Sequence, residues 1–185
     1  RTLKGHGLAA AEQNKEAFHW ILPGTLDEKP SQTVEFSEDY NSVTNDFIKR
    51  KAKENSSFIV VNPATPGVHG FTPDFREKLG KQYTDVGIAE EHAVAYCSAL
   101  AKAGAKPILA IMTSFVQRTY DQLSQDLCLN NSPLTMLVYW GGLSNGDATH
   151  LGSFDIPLIS NIPNIVYLAP TNKEEYICLL YTSDA

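Results

Sequence analysis

Glu90, Glu91 and His92 form the first group of side chains whose types suit chemistry. Gly87 ends a predicted strand just before them, so Glu90 falls in the first turn of the next helix, with its carboxylate beyond the end of that strand. A carboxylate in this place suits acid–base chemistry, but it equally complements the positive end of the helix dipole. Neighbouring helical positions do not share a face, which separates Glu91 from Glu90. The sequence has no HExxH pattern or other metal-ligand spacing around His92.

A second group of candidates follows later in the chain. His150 lies in a loop rich in Gly, Asn and Asp, with Asp147 three residues before it, which suits an acid–base pair on a flexible segment. Loops of this composition are also common as simple turns. Arg118 comes one turn after the apolar Phe115, where it either binds an anion or pairs with Asp121 or a glutamate. Taken singly, none of these patterns identifies a function.

The elements that position these residues alternate along the chain from residue 37 onward. Apolar or β-branched runs predict five strands, at residues 58–61, 82–86, 107–112, 134–140 and 164–168. Helices are predicted at residues 37–55, 72–80, 89–103 and 117–129, and after a capping box formed by Thr171 and Glu174. Ser37 is the predicted cap of the first helix, and Thr72 with Pro73 begins the second.

This alternation predicts an α/β fold, with a parallel sheet covered by helices on both faces. In such sheets ligands bind beyond the carboxyl ends of the strands. Four segments occupy that position, and they contain all the candidates named above; they are residues 62–70, 87–92, 113–118 and 141–150. Residues 1–36 lack sustained periodicity and are predicted to be an arm or linker preceding the domain.

Composition narrows the classes of partner. The chain has 185 residues, 43% of them hydrophobic, and a formal net charge of -6, which disfavours a grip on nucleic acid phosphates. Its apolar runs are far shorter than the roughly 20 residues of a membrane helix, so no membrane partner is expected. The N-terminal residues do not resemble a secretory signal, so we expect a cytoplasmic location and small-molecule substrates.

Three ordered segments together resemble one known family. They are DVGIAEEHAVAY at residues 85–96, TSFVQRTYDQ at residues 113–122 and DATHLGSFD at residues 147–155. In this order and spacing they are similar to the middle domain of the 1-deoxy-D-xylulose-5-phosphate synthases, which are transketolase-like thiamine-diphosphate enzymes. KGHGLAAAE at residues 4–12 resembles the end of the first domain and the start of the linker. The resemblance implies a transketolase-type pyrimidine-binding domain at residues 37–180, preceded by residues 1–36.

The resemblance also implies roles for individual residues. Glu90 matches the glutamate that hydrogen-bonds the aminopyrimidine ring of thiamine diphosphate and favours the tautomer that activates the cofactor for attack on a 2-oxo acid. Glu91 stands where many of these synthases have glutamine and is kept out of the catalytic role. Phe115 matches the aromatic residue that packs on the pyrimidine ring, and Arg118 matches a neighbouring position of the cofactor pocket.

Further matches concern substrate and proton transfer. Asp147 and His150 match the aspartate and histidine that orient substrate and move protons in the acceptor step. His19 matches a linker histidine that reaches the same site, and Lys4 matches a lysine near the cofactor. The implied reaction joins pyruvate to glyceraldehyde 3-phosphate with loss of carbon dioxide.

The family's diphosphate and Mg²⁺ are held by a GDG motif in the first domain, which this sequence lacks, so the chain is expected to be an inactive fragment of a homodimeric enzyme. The family's C-terminal domain is also missing, and residues 181–185 are unlike the family and are interpreted as a truncated or non-native tail.

YWGG at residues 139–142 replaces the usual DRAG, so Trp140 stands in place of a phosphate-binding arginine, and Met112 replaces a common tyrosine. A related or split-subunit 2-oxo acid enzyme and a non-catalytic interaction module remain as alternatives.

Overall fold

The structure, a computed structural model, describes residues 3–19, 39–142 and 149–183. Residues 3–19 belong to one compact unit, and the other described residues belong to a second. The first unit contains a short helix, α1 (Ala9–Gln13), whose last turn is followed by Asn14. Its side chains are mostly exposed, with Ala11 as the exception.

The second unit is built on four parallel strands. In chain order they are β1 (Phe58–Asn62), β2 (Tyr83–Asp85), β3 (Lys106–Met112) and β4 (Thr135–Tyr139). Their order across the sheet is β2, β1, β3, β4, with Val60 opposite both Tyr83 and Ile108. This arrangement confirms the predicted parallel α/β fold and brings the carboxyl ends of all four strands to one edge.

Helices connect these strands, and their bounds follow from recognisable caps. They are α2 (Tyr40–Glu54), α3 (Pro73–Leu79), α4 (Glu90–Lys102), α5 (Thr113–Val116), α6 (Tyr120–Gln122), α7 (Asp155–Ile159) and α8 (Lys173–Ser183). Asp39 caps α2 by accepting from the backbone N–H of Ser42 at 2.8 Å, so the helix begins at Tyr40. The predicted cap Ser37 lies outside the described residues. Thr72 caps α3 as predicted, by accepting from Phe75 N–H.

Both faces of the sheet are covered, because successive strand residues point to opposite sides. Val60, Ile108 and Ala110 pack against α2, α3 and α8, whereas Val61, Leu109 and Ile111 pack against α4 and the helical segment 113–128. All six of these strand residues are buried. Each fully buried valine, leucine or isoleucine contributes about 1.5–3 kcal/mol, so the two layers fix the plane of the sheet firmly.

The predicted fifth strand at residues 164–168 is wrong. Asn164 adopts a left-handed backbone with φ of 64°, and the residues after it make no ladder with β4. Val166, Tyr167 and Leu168 are 79%, 45% and 59% exposed. An apolar run forms a buried strand only where a neighbouring strand offers aligned N–H and C=O groups, and this run pairs with none of the four strands.

Two helix predictions also need correction. The helix predicted at residues 117–129 begins earlier, at Thr113, because β3 passes directly into α5 without a Gly or Pro between them. The same segment continues through a 3₁₀ turn (Gln117–Thr119) and α6 into a π-helical turn (Leu123–Cys128). The last helix is capped by Asn172, one residue later than predicted, because Asn172 Oδ1 accepts from Glu175 N–H. The Glu175 carboxylate, rather than that of Glu174, accepts from Thr171 N–H.

No helix in residues 3–19, 39–142 and 149–183 combines the length and the apolar character that a bilayer span requires.

Candidate functional site

The site is built around Glu90, the first residue of α4. β2 ends at Asp85, whose Oδ1 accepts hydrogen bonds from Gly87 N–H at 2.8 Å and from Ala64 N–H at 3.1 Å. These bonds fasten the turn between β2 and α4 to the loop that follows β1. Glu90 is only 2% exposed, so the turn delivers a buried carboxylate to the carboxyl edge of the sheet.

Arg118 faces two carboxylates at once. Its Nε lies 3.2 Å from Glu90 Oε2, and its terminal nitrogen donates to Glu91 Oε1 at 3.3 Å. Glu90 Oε2 is within ion-pair distance but receives no aligned hydrogen bond, so this buried oxygen can still accept one from a ligand. The backbone N–H of Glu91 and then the Arg118 guanidinium outweigh desolvation and lower the pKa of Glu91.

Phe115 and His150 form the second contact of the site. Their ring centroids are 5.6 Å apart with an interplanar angle of 83°, an edge-to-face arrangement. Phe115 precedes Arg118 by three residues on one tight helical segment, and this spacing puts both side chains on the same side. The segment therefore joins the Glu90–Arg118 pair to the Phe115–His150 pair.

The remaining sequence candidates divide into those the structure describes and one that it does not. Lys4 and His19 come together in the first unit, where Lys4 Nζ lies 2.7 Å from His19 Nδ1. Asp147 lies outside the described residues. Trp140 follows β4 with a left-handed φ of 65° and is 42% exposed, while Met112 is buried at the end of β3.

His69 is a buried polar residue that was not singled out from the sequence. It is fully buried beside β1, its Nδ1 donates to Thr65 carbonyl oxygen at 2.9 Å, and its ring lies 4.5 Å from that of Tyr139. Desolvation lowers the pKa of His69, which holds the imidazole neutral. The only sequence signal was its place in residues 62–70, one of the four segments that follow a strand.

Several features define what this edge of the sheet can do chemically. A buried carboxylate with a free acceptor oxygen suits a hydrogen bond from a ring nitrogen, and a partly buried phenyl ring offers a flat apolar surface. Arg118, at 51% exposure, remains accessible to an anion. Nowhere in the described ranges do three His, Cys, Asp or Glu side chains cluster as metal ligands would.

Comparisons with known proteins agree on one family. Residues 34–183 match the family model described as transketolase, pyrimidine binding domain. The 1-deoxy-D-xylulose-5-phosphate synthase of Symbiobacterium thermophilum is 37% identical over 182 residues, which are 98% of this chain and 28% of that protein. The synthase of Haemophilus influenzae strain KW20 is 35% identical over 188 residues, covering 98% of this chain and 29% of that protein.

A solved structure supports the same fold. It is a split-gene transketolase described as an inactive beta4 tetramer, with a TM-score of 0.60 and 17% sequence identity. The match covers 77% of this chain and 46% of the other. The chain thus shares the fold of the matched part of that protein. It spans less than a third of the length of the curated relatives named above.

Proposed function

We propose, since this chain belongs to the family of transketolase pyrimidine-binding domains, that it forms the pyrimidine-binding part of a thiamine-diphosphate-dependent synthase. The full enzyme would join pyruvate to glyceraldehyde 3-phosphate and release carbon dioxide, forming 1-deoxy-D-xylulose 5-phosphate. The names of the relatives suggest this reaction. The observation that carries the proposal is the buried Glu90 carboxylate, whose Oε2 has no aligned hydrogen bond at the carboxyl edge of the sheet.

The residues present fit the pyrimidine half of the cofactor. Glu90 would accept a hydrogen bond from a ring nitrogen, and its burial strengthens that bond because water does not compete. Phe115 would pack its ring against the flat pyrimidine. Thiamine diphosphate, when bound, supplies the nucleophilic carbon and the electron sink that decarboxylation of a 2-oxo acid requires.

Other residues would handle charge and protons. Arg118 would hold the Glu90 side chain in place, because its Nε lies 3.2 Å from Glu90 Oε2. His150, oriented against the Phe115 ring, would move a proton during the acceptor step, together with Asp147. The resemblance gives Lys4 and His19 a part in the same reaction, and Mg²⁺ would be bound by another domain of the full enzyme.

A second candidate function differs from the first in its acceptor substrate. Trp140 stands where the resemblance places an arginine for phosphate, and an indole N–H cannot make the bidentate contact of a guanidinium. Its 42% exposed side chain instead presents an apolar surface just after the carboxyl end of β4. This observation favours a related 2-oxo acid enzyme, including a split-subunit one, that transfers the two-carbon unit to a less charged acceptor.

A chimeric enzyme would test the function directly. In the chimera, this chain would replace the matching 182-residue segment of the Symbiobacterium thermophilum synthase. All other domains would come from that relative. We expect pyruvate decarboxylation by the chimera and a loss of about 100-fold or more with Glu90→Gln, since acid–base groups contribute on this scale. Glu77→Gln, in the exposed face of α3, is the matched control and should leave the rate unchanged.

The result would also separate the two candidates. Faster turnover with glyceraldehyde 3-phosphate than with unphosphorylated glyceraldehyde supports the synthase, and the reverse preference supports the second enzyme. A folded chimera that binds thiamine diphosphate but decarboxylates pyruvate equally well with Gln at position 90 would contradict the role given to Glu90.

A further inference from the structure

A cluster of oxygen atoms surrounds Gly152, and Glu90 does not belong to it. An ideal Cβ on Gly152 would lie 2.8 Å from Asp155 Oδ2, 2.9 Å from Thr113 Oγ1 and 3.0 Å from the Gly141 carbonyl oxygen. We call these three groups the Gly152 cluster. They come from three separate segments: the loop after β4, the start of α5 and the start of α7. Only glycine leaves room for this convergence, because a side chain at position 152 would touch all three oxygens.

The two side chains of the Gly152 cluster are buried without partners. Thr113 is fully buried and Asp155 is 3% exposed. Thr113 Oγ1 and both carboxylate oxygens of Asp155 have no hydrogen-bond partner. In the part of the chain that the structure describes, no Lys, Arg or His forms an ion pair with Asp155. A buried carboxylate left in this state is strongly unfavourable, so it needs either a proton or a bound cation.

The chemistry of the ligand set indicates which cation fits. A carboxylate, a hydroxyl and a backbone carbonyl are hard oxygen ligands, and the cluster has no imidazole or thiolate of the kind that zinc or copper prefers. Ca²⁺ and Mg²⁺ sites commonly draw on more than one carboxylate or on phosphate oxygens. A single carboxylate balances a single positive charge, which favours a monovalent ion.

We propose that the Gly152 cluster binds one alkali cation, K⁺ or Na⁺, through Asp155, Thr113 and the Gly141 carbonyl. The ion would join three segments that are separate along the chain. Thr113 lies two residues before Phe115, so the same ion would fix the start of the helical segment that carries Phe115 and Arg118. This inference does not depend on the proposed thiamine chemistry, because it concerns the chain without cofactor.

Direct binding of Rb⁺, a K⁺ analogue, provides the test. Equilibrium dialysis of the chain at about pH 8, well above the usual pKa of a carboxyl, should give one bound Rb⁺ per chain, displaced by K⁺ or Na⁺. The thermal midpoint should be about 3–6 °C higher at a K⁺ concentration ten times Kd than in tetramethylammonium chloride of equal ionic strength.

Variants separate the site from general salt effects. Asp155→Asn should abolish Rb⁺ binding and the K⁺-dependent shift, whereas Asp121→Asn, an exposed carboxylate on α6, should leave both unchanged. Thr113→Val removes one ligand and should weaken Rb⁺ binding, so it serves if Asp155→Asn does not fold. The proposal is overturned if the folded wild-type chain binds no Rb⁺, or if the Asp155→Asn chain binds as much. Stability that depends on pH but not on K⁺ would also overturn it, since Asp155 would then carry a proton.

Discussion

Arg118 contacts two carboxylates whose surroundings differ. The side chain of Glu90 is 3% exposed and that of Glu91 is 44% exposed. Coulombic attraction is stronger where water is excluded, so the pair with Glu90 matters more for stability than the pair with Glu91. The guanidinium is therefore the counter-charge that permits a buried carboxylate at this edge of the sheet.

Removing Arg118 should expose this dependence. Arg118→Ala leaves Glu90 buried without its cation, and we expect the free energy of unfolding to fall by about 1–3 kcal/mol. In a Glu90→Gln background the same change should cost less than about 0.5 kcal/mol, because no buried charge remains. Urea unfolding of the four proteins in this double-mutant cycle measures the difference. Equal costs in both backgrounds would show that the pair does not stabilise the fold.

His69 should make stability depend on pH. Burial lowers its pKa from the ordinary value of 6.5, so the unfolded chain binds a proton more readily than the folded chain. The stability that neutral His69 contributes is therefore fully present above pH 6.5. It is lost as the pH falls from 6.5 through the lowered pKa of His69 in the folded chain. Urea unfolding at a series of pH values in this range should show the free energy of unfolding declining as the pH falls. His69→Gln should remove this decline. The exposed His92→Gln should retain the decline, and an unchanged slope in His69→Gln would contradict the assignment.

The sequence singled out some of the side chains that the fold brings together at this edge of the sheet and missed others for a physical reason. Glu90, Phe115 and His150 lie in motifs that resemble a known family, and the side chains can be placed from those motifs. Thr113 and Asp155 lie in the same motifs but were not singled out, because burial without a partner depends on segments that meet only in the folded chain. Arg118 was predicted either to bind an anion or to pair with Asp121 or a glutamate. In the fold it pairs with Glu90 and Glu91 rather than with Asp121.

At the scale of elements, local patterns predicted the sheet well and its edge poorly. Each of the apolar runs β1 to β4 finds a neighbouring strand, so all four strands form close to their predicted bounds. Residues 164–168 have the same apolar character but are unpaired and largely exposed. Whether a run pairs is decided by the position of other strands, which periodicity does not encode.

The cap of α8 offers a test of local structure. Asn172 Oδ1 accepts from Glu175 N–H at 2.8 Å, and the Glu175 carboxylate accepts from Thr171 N–H at 2.8 Å. We expect Asn172→Ala to lower the free energy of unfolding by about 1 kcal/mol, as loss of an N-cap does. Glu174→Ala is the matched control and should change it by less than about 0.5 kcal/mol. Thermal unfolding by circular dichroism compares the two variants. A larger loss of stability for Glu174→Ala would support the capping box of Thr171 and Glu174 that was predicted from the sequence.

At the scale of the whole molecule, we propose that this chain supplies one part of a larger site. It spans 28–29% of the length of its curated relatives, and the described residues show a buried carboxylate, an aromatic ring and an arginine but no metal cluster. In the proposed function these groups bind the pyrimidine ring of thiamine diphosphate, and the diphosphate and its metal would be bound by other parts of the full enzyme. Binding of the whole cofactor should therefore need a second domain.

The central claim is tested most directly by calorimetric titration of thiamine diphosphate with Mg²⁺. The chain would be titrated alone and mixed with the separately produced first domain of the Symbiobacterium thermophilum relative, with Glu90→Gln as the comparison. We expect binding by the mixture only, weakened about 10- to 100-fold by Glu90→Gln, the loss expected for a hydrogen bond to a charged group. A folded mixture that binds no thiamine diphosphate, or binds it equally well with Gln at position 90, would contradict the claim.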